Sequence, residues 1–256
     1  LIENQSAYHS LFLNGKAWIE INNDENNTLN FLSDSFTLEF WFTGGKSSIE
    51  NSATLVSIIN ETGKIQFAIF KNPLNPNTLD FWLNNERLES ITLSLDPDLN
   101  DSTSYHHLAI SANSDIDIYI DGKLIKNIIN SNIEIENSNL IIGGKVNKEH
   151  SIAENFWIGH IDEMRLWSSN LQDSTIVFHS NYVDKLSQNY TDSYVSTLKG
   201  LWRFEFIETS DPEIIDETCS VLSQIYTFPE ASCPNPNNAM IYTINDGNVT
   251  FSKNHP

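Results

Sequence analysis

A chain of 256 residues, 39% hydrophobic and 11% aromatic, can bury the core of one large all-β domain, with aromatic rings supplying much of the apolar area. Its 14 Lys and Arg against 34 Asp and Glu give a formal charge of −20, a field that repels phosphate backbones and anionic lipid and so argues against nucleic-acid and membrane partners. No run of about 18 apolar residues is present, and no charged-then-apolar leader opens the sequence, which reads as a mature or excised segment.

Period-two patterns dominate the chain. Phe36-Thr37-Leu38-Glu39-Phe40-Trp41-Phe42 puts Phe36, Leu38, Phe40 and Phe42 on one face and Thr37, Glu39 and Trp41 on the other. Ile65 to Phe70 repeats the rhythm. In Tyr105-His106-His107-Leu108-Ala109, alternation sends the two imidazoles to opposite faces, so they cannot share a metal. Asp115 to Asp121 alternates three isoleucines with acids and Tyr119, and Asp121-Gly122 then supplies the pair of positive-φ residues that a type I′ hairpin needs. The return strand starts at Lys123.

After Leu140-Ile141-Ile142, the pair Gly143-Gly144 allows close backbone approach at a strand end. In Ile158 to Trp167 the parity breaks: Ile161 faces inward, Asp162 and Glu163 follow, and then Met164 and Leu166 face inward. Two consecutive polar residues between inward positions predict a β-bulge. Only one helix is expected, two or three turns after Leu171, with Asp173 as N-cap and Ile176, Val177 and Tyr182 forming its apolar face. Residues 183–197 read as loop, and strand character resumes from Leu198 to Phe206. The tail from Pro234 opens as a turn or linker and then offers Met240 to Ile244 and Asn248 to Phe251 around Asp246-Gly247, read either as a final hairpin of this domain or as the start of the next one. The expected division is therefore a main domain over 1–233 and a linker or extra hairpin over 234–256.

Cys219 and Cys233 lack the spacing of a zinc site and read as a disulfide closing a short loop, against the alternative of two unrelated thiols. A disulfide implies an extracellular or cell-surface address. Sequons occur at Asn4, Asn26, Asn60, Asn100, Asn189 and Asn248, and carry little weight in so Asn-rich a chain.

The order and spacing of these pieces resemble the laminin-G-like, concanavalin A-like jelly-roll group that includes the pentraxins. Ala17-Trp18-Ile19-Glu20-Ile21 followed by Ser35 to Trp41 looks like its opening pair of strands. Asn170-Leu171-Gln172 looks like the turn into its short helix, and Leu201 to Glu205 with Ile215-Asp216-Glu217 looks like its later acidic elements. The resemblance covers about residues 8–218 and implies an all-β, two-sheet antiparallel jelly-roll sandwich with ligand loops at the rim, often holding calcium. The candidate ligands for a structural calcium are Asp162 and Asp216, with Glu163 and Glu205 behind them, because calcium needs carboxylates and carbonyls. The alternative is that Asp162 and Glu163 only fix the bulge. Lys145 to His150 lacks the pentraxins' Glu-Gln-Asp run, so phosphocholine binding of that type is not implied.

Glucanases of similar fold carry a Glu-x-Asp-x-x-Glu strand, whose acids act about 5–5.5 Å apart. Glu213 to Glu217 has the wrong register for it, and Glu134-Ile135-Glu136 lacks the third acid. The expectation is a non-catalytic binding module of a larger secreted or surface protein, serving adhesion or glycan recognition. Trp41, Trp82 and Trp157 are the candidate sugar platforms, unless a loop or the helix covers them. The alternatives are a module or spacer whose contacts are with extracellular protein, and a relative of the glycoside hydrolases.

Overall fold

A computed structural model describes residues 10–23, 29–44, 52–75, 77–93, 99, 101–129, 138–188 and 193–204, with the backbone of 213–214, 239–243 and 250–252. The chain opens with β1 (Ser10–Asn14), β2 (Ala17–Ile21) and β3 (Phe36–Thr43). Next come β4 (Ala53–Ile59), β5 (Ile65–Lys71), β6 (Thr78–Leu83) and β7 (Glu86–Thr92). Then follow β8 (Tyr105–Ala112), β9 (Ile116–Ile120), β10 (Lys123–Ile128) and β11 (Leu140–Ile142). A small hairpin, β12 (Lys145–Val146) with β13 (Ala153–Glu154), precedes β14 (Ile158–Trp167) and the helix α1 (Asp173–Asn181). The last strands are β15 (Leu198–Trp202), β16 (Glu213–Ile214), β17 (Ala239–Thr243) and β18 (Thr250–Ser252).

These strands form two eight-stranded antiparallel sheets. Sheet A runs β10-β9-β8-β3-β14-β1-β18, with β15 also paired to β14; sheet B runs β16-β17-β2-β11-β4-β5-β6-β7. The inward side chains of both sheets make one core, with Phe36, Leu38, Phe40 and Phe42 of β3 meeting Val56, Phe67, Ile69 and Phe81 of sheet B in a single cluster. The expected sandwich is the observed one. Asp121 and Gly122 turn β9 into β10 at φ of 51° and 72°, as the type I′ reading requires. The bulge also stands where parity broke: β14 pairs with β3 at Asp162↔Trp41 and next at Arg165↔Glu39, one residue longer on β14, with Glu163 at φ 45°.

The two tail strands differ from expectation. β17 pairs with β2 in sheet B and β18 pairs with β1 in sheet A, so they close opposite sheets of this sandwich instead of forming a hairpin with each other. The helix differs in detail as well. Gln172 is the N-cap, and Asp173 lies in the first turn, accepting the Tyr119 hydroxyl at 2.7 Å. The buried helical residues are Ile176, Phe178 and His179, whereas Val177 and Tyr182 are exposed. Part of the expected loop, Ser193–Thr197, is a 3-10 turn.

The helix matters because it closes the outer face of sheet A. Beneath it Trp167, Leu171, Ile176, Leu186, Leu198 and Leu201 form a second apolar cluster. Glu39 is sealed inside with no exposed surface. Trp167 Nε1 donates to its Oε1 at 3.0 Å, and His179 Nδ1 lies 2.8 Å from the same oxygen. His107 Nε2 is 3.4 Å from Oε2, and an Arg165 nitrogen is 3.7 Å from Oε1. Burial alone would raise the Glu39 carboxyl, but His179, His107 and Arg165 hold it well below the ordinary carboxylate range. Burial pushes His107 the other way, below the usual imidazole value, against the pull of Glu39.

Both shifts have the same sign in stability. Glu39 contributes fully above the unfolded value of 4.5 and loses that contribution as pH falls through its lower folded value. His107 contributes fully above 6.5 and loses its share as pH falls from there toward its depressed folded value. The melting temperature is therefore expected to fall as the pH is lowered from 7 to 4; a flat profile would contradict the network. Glu39→Gln should cost about 3–5 kcal/mol in urea unfolding, because it removes the charge that the buried Arg165, Trp167 and the two imidazoles are arranged around.

Candidate functional site

With sheet A covered, the outer face of sheet B is the surface to read. Half of it is also covered. The segment from β12 through Trp157 folds over β2 and β11, where Trp18 stacks on Phe156 at 5.6 Å and packs with Ile141 and Val146. Trp18 Nε1 and His150 Nε2 both reach the buried carboxylate of Glu20. Gly143 enters this turn at φ 86°, and a Cβ there would meet Leu13 at 2.3 Å, the close approach its sequence context predicts.

The other half, over β5, β6 and β7, is open and forms a cleft of about 370 Å³. Phe70 and Trp82 make its apolar wall, their rings edge-to-face at 6.0 Å and 88°. They reach the outer face because β5 and β6 alternate: Phe67, Ile69, Phe81 and Leu83 take the core positions. Trp82 remains partly exposed.

Around this wall stand Arg87, Asn155, Asn72, Asp80 and Lys145. Several are committed to building the cleft. Asp80 is 7% exposed and accepts Ser90 Oγ at 2.6 Å and Asn72 Nδ2 at 3.0 Å. The Asn72 side-chain oxygen accepts the backbone N–H groups of Leu74 and Asn75, so one amide both ties down the loop and holds Asp80. That loop carries Leu74, 93% exposed, at the rim. Lys145 is paired with Glu154 at 2.7 Å. Arg87 and the side chain of Asn155, by contrast, have no hydrogen-bond or ion-pair partner among the described residues.

A larger cleft, about 610 Å³, lies between the start of α1 and the 3-10 turn at Ser193–Thr197. Three of its hydroxyl groups are engaged internally: Ser169 with Thr197, Thr197 on the Tyr194 carbonyl, and Tyr194 on the Leu186 carbonyl. Phe178, its other aromatic, is 9% exposed. The smaller cleft sets a partly exposed indole, the largest ring of the two clefts, beside the guanidinium of Arg87.

The other candidate residues are dispersed. Trp157 is 1% exposed, packs on Phe42 and donates to the Thr43 carbonyl at 3.1 Å, which corrects its assignment as a platform: it is core. Trp41 is half-buried on the outer face of sheet A beside His107, at 5.3 Å, and its indole nitrogen has no partner among the described residues. Asp162 is buried and caps the bulge by accepting the Glu163 N–H at 2.8 Å. Glu163 does not fit a calcium ligand. Arg165 holds one of its oxygens at 3.0 Å and Arg203 the other at 3.1 Å. Among the described residues, no group of three or more His, Cys, Asp and Glu side chains could hold a metal. Asp216, Glu205, Cys219 and Cys233 lie outside the described residues, as do Glu134 and Glu136.

Sequence reasoning singled out Trp82 but missed Phe70, Asn155 and Arg87. Two were within reach. Phe70 falls on the second face of the Ile65 to Phe70 alternation. Asn84-Asn85 is a two-residue turn with both φ positive, and counting outward from it sets Arg87 across from Trp82.

Fold and cleft together define a two-sheet sandwich of the lectin type, with an aromatic-walled hollow on one outer face. A family model described as the concanavalin A-like lectin/glucanases superfamily matches residues 13–177, and the chain belongs to that superfamily. Among solved structures, a proposed carbohydrate binding protein from Bacteroides ovatus superposes with TM-score 0.63 at 14% identity, over 96% of this chain and 59% of that one. A Trypanosoma rangeli sialidase superposes with TM-score 0.51 at 13% identity, over 71% of this chain and 28% of that one. The receptor binding domain of the botulinum neurotoxin C/D mosaic serotype gives 0.50 at 15% identity, over 68% and 42%. This chain thus spans well under two thirds of each of these proteins, and at such identities the likeness is one of fold. No curated protein sequence matches the chain.

The two tryptophans should separate in stability. Trp157→Ala is expected to cost about 3–5 kcal/mol, as for a fully buried aromatic. Trp82→Ala should cost far less, roughly 1 kcal/mol, because its ring is partly solvated. Urea unfolding of both variants checks the order.

Proposed function

We propose that the chain is a non-catalytic carbohydrate-binding module with its sugar site in the Trp82 cleft. One observation carries this: a partly exposed indole, braced edge-on by Phe70, faces water beside polar side chains that the fold itself does not use. A sugar ring presents an apolar C–H face to such a ring and hydroxyls to the groups around it. Bracing matters, because a ring already held in place loses little freedom when a ligand arrives. The name of the Bacteroides ovatus neighbour is in keeping with this reading.

Binding without catalysis is favoured by the cleft's chemistry. Glycoside hydrolysis needs two carboxyl groups facing the scissile bond. Among the described residues, the cleft is lined by one acid, Asp80, and both of its oxygens are engaged by Ser90 and Asn72. A role in adhesion through protein contacts is the competing use of the same fold. A glycan array decides between them: retained glycans that Trp82→Ala weakens at least tenfold, about 1.4 kcal/mol, support the sugar site. An array on which the intact chain retains nothing favours the protein-contact module.

The same proposal places the module outside the cytoplasm, in a larger secreted or surface protein, on the reading of Cys219 and Cys233 as a disulfide. Denatured without reductant, the chain should then show no reactive thiol, and reduction should expose both. Two free thiols in protein purified from an oxidising compartment would remove that support.

A further inference from the structure

We infer that the Trp82 cleft selects an anionic saccharide, with Arg87 as the residue that reads its charge; this rests on the sugar-binding reading of the cleft. The chain carries 14 basic and 34 acidic side chains, so the charge a ligand meets at the cleft depends on which local groups are paired. Two basic groups nearby are paired. Lys145 pairs with Glu154 at 2.7 Å, and Lys126 on the neighbouring β10 pairs with Glu89 of β7 at 2.7 Å. Arg87 is exposed, lines the cleft and has no such partner among the described residues.

Its position is fixed by the backbone. The Asn84-Asn85 turn sets β7 against β6 so that Arg87 stands across from Trp82. The cleft's acid is not paired with it: Asp80 is 7% exposed, and its two oxygens take the Ser90 hydroxyl and the Asn72 amide. The arrangement therefore offers an apolar ring and, beside it, a guanidinium with donors to spare. Guanidinium has no acceptor and favours planar, paired oxygens, as a carboxylate or sulfate presents. A neutral sugar would satisfy the ring and leave the charge to water. A sugar carrying a carboxylate or sulfate would satisfy both.

The test is a glycan array holding neutral, uronate-bearing, sialylated and sulfated glycans, probed with the intact chain, Arg87→Gln and Trp82→Ala. Acidic glycans should exceed matched neutral ones by about tenfold, the scale of one charge-assisted hydrogen bond. Arg87→Gln should erase that preference, and raising the salt should have the same direction of effect on the intact chain. Comparing the carboxylated and sulfated subsets names the anion. If neutral glycans bind as well as acidic ones and Trp82→Ala abolishes both, the inference about Arg87 is overturned while the sugar site stands. If the intact chain retains no glycan, both readings fall. Arg87→Gln should melt with the unaltered chain, so a lost preference cannot be charged to unfolding.

Discussion

The placement of one carboxylate organises the two faces of this sandwich. Glu39 sits on the outer side of β3, where a strand pattern alone would leave it in water, yet it has no exposed surface. A bare buried carboxylate would be untenable, and its four partners come from three separate elements: His107 from β8, Arg165 and Trp167 from β14, and His179 from α1. The last of these fixes the helix. His179 Nε2 also meets the Leu186 carbonyl at 2.9 Å, so both nitrogens of one imidazole face acceptors and tie the helix to the segment that follows it. Trp167 stacks on the same imidazole at 5.5 Å and 15°, adding an apolar lid to a polar lock.

A buried ionic cluster of this kind is a poor source of net stability, since desolvation offsets most of the attraction, but it is costly to break. Its value lies in geometry. The helix docks where His179 meets the carboxylate, and the stretch of sheet A around Glu39 is thereby withdrawn from solvent. Sheet B has no such helix among the described elements. Its outer face is sheltered on one side by the β12–β13 hairpin and the aromatic pair Trp18 and Phe156, while on the other side Trp82 stays partly exposed and much of β7 is exposed. The location of the candidate cleft thus follows from what the covering elements leave bare.

The sandwich was legible in the sequence because its signals are local. Alternation over two residues, an Asp-Gly turn and a double polar break in β14 each act within a few positions, and each appears as predicted. The outer faces were not legible, because coverage is decided by distant segments. Glu39, Thr37 and Trp41 share one face of β3 and look alike in the sequence; α1 covers Glu39, the segment leading into α1 holds Thr37 through Ser169 and Leu171, and Trp41 is left half-covered. Trp157 shows the converse. It stands next to a loop, as a platform would, but its backbone N–H donates to the Gly143 carbonyl at 2.8 Å, and its ring lies in the core. The tail misled for the same reason: two short strands around Asp-Gly read as a hairpin, while the vacant edges of β2 and β1 lay outside any local window.

Charge behaves in the same way. A formal −20 describes the whole chain, but at physiological ionic strength an exposed charge is felt over only about 8 Å. What a ligand meets in the Trp82 cleft is set by the few groups within that distance, and their pairing matters more than their number. Asp80 and Lys145 are present but engaged, and each engagement shapes the cleft wall. Arg87 is present and unengaged. Local pairing, and not net composition, therefore determines the sign of charge that this face can accept, and an acidic protein can in this way carry a site for an acidic ligand.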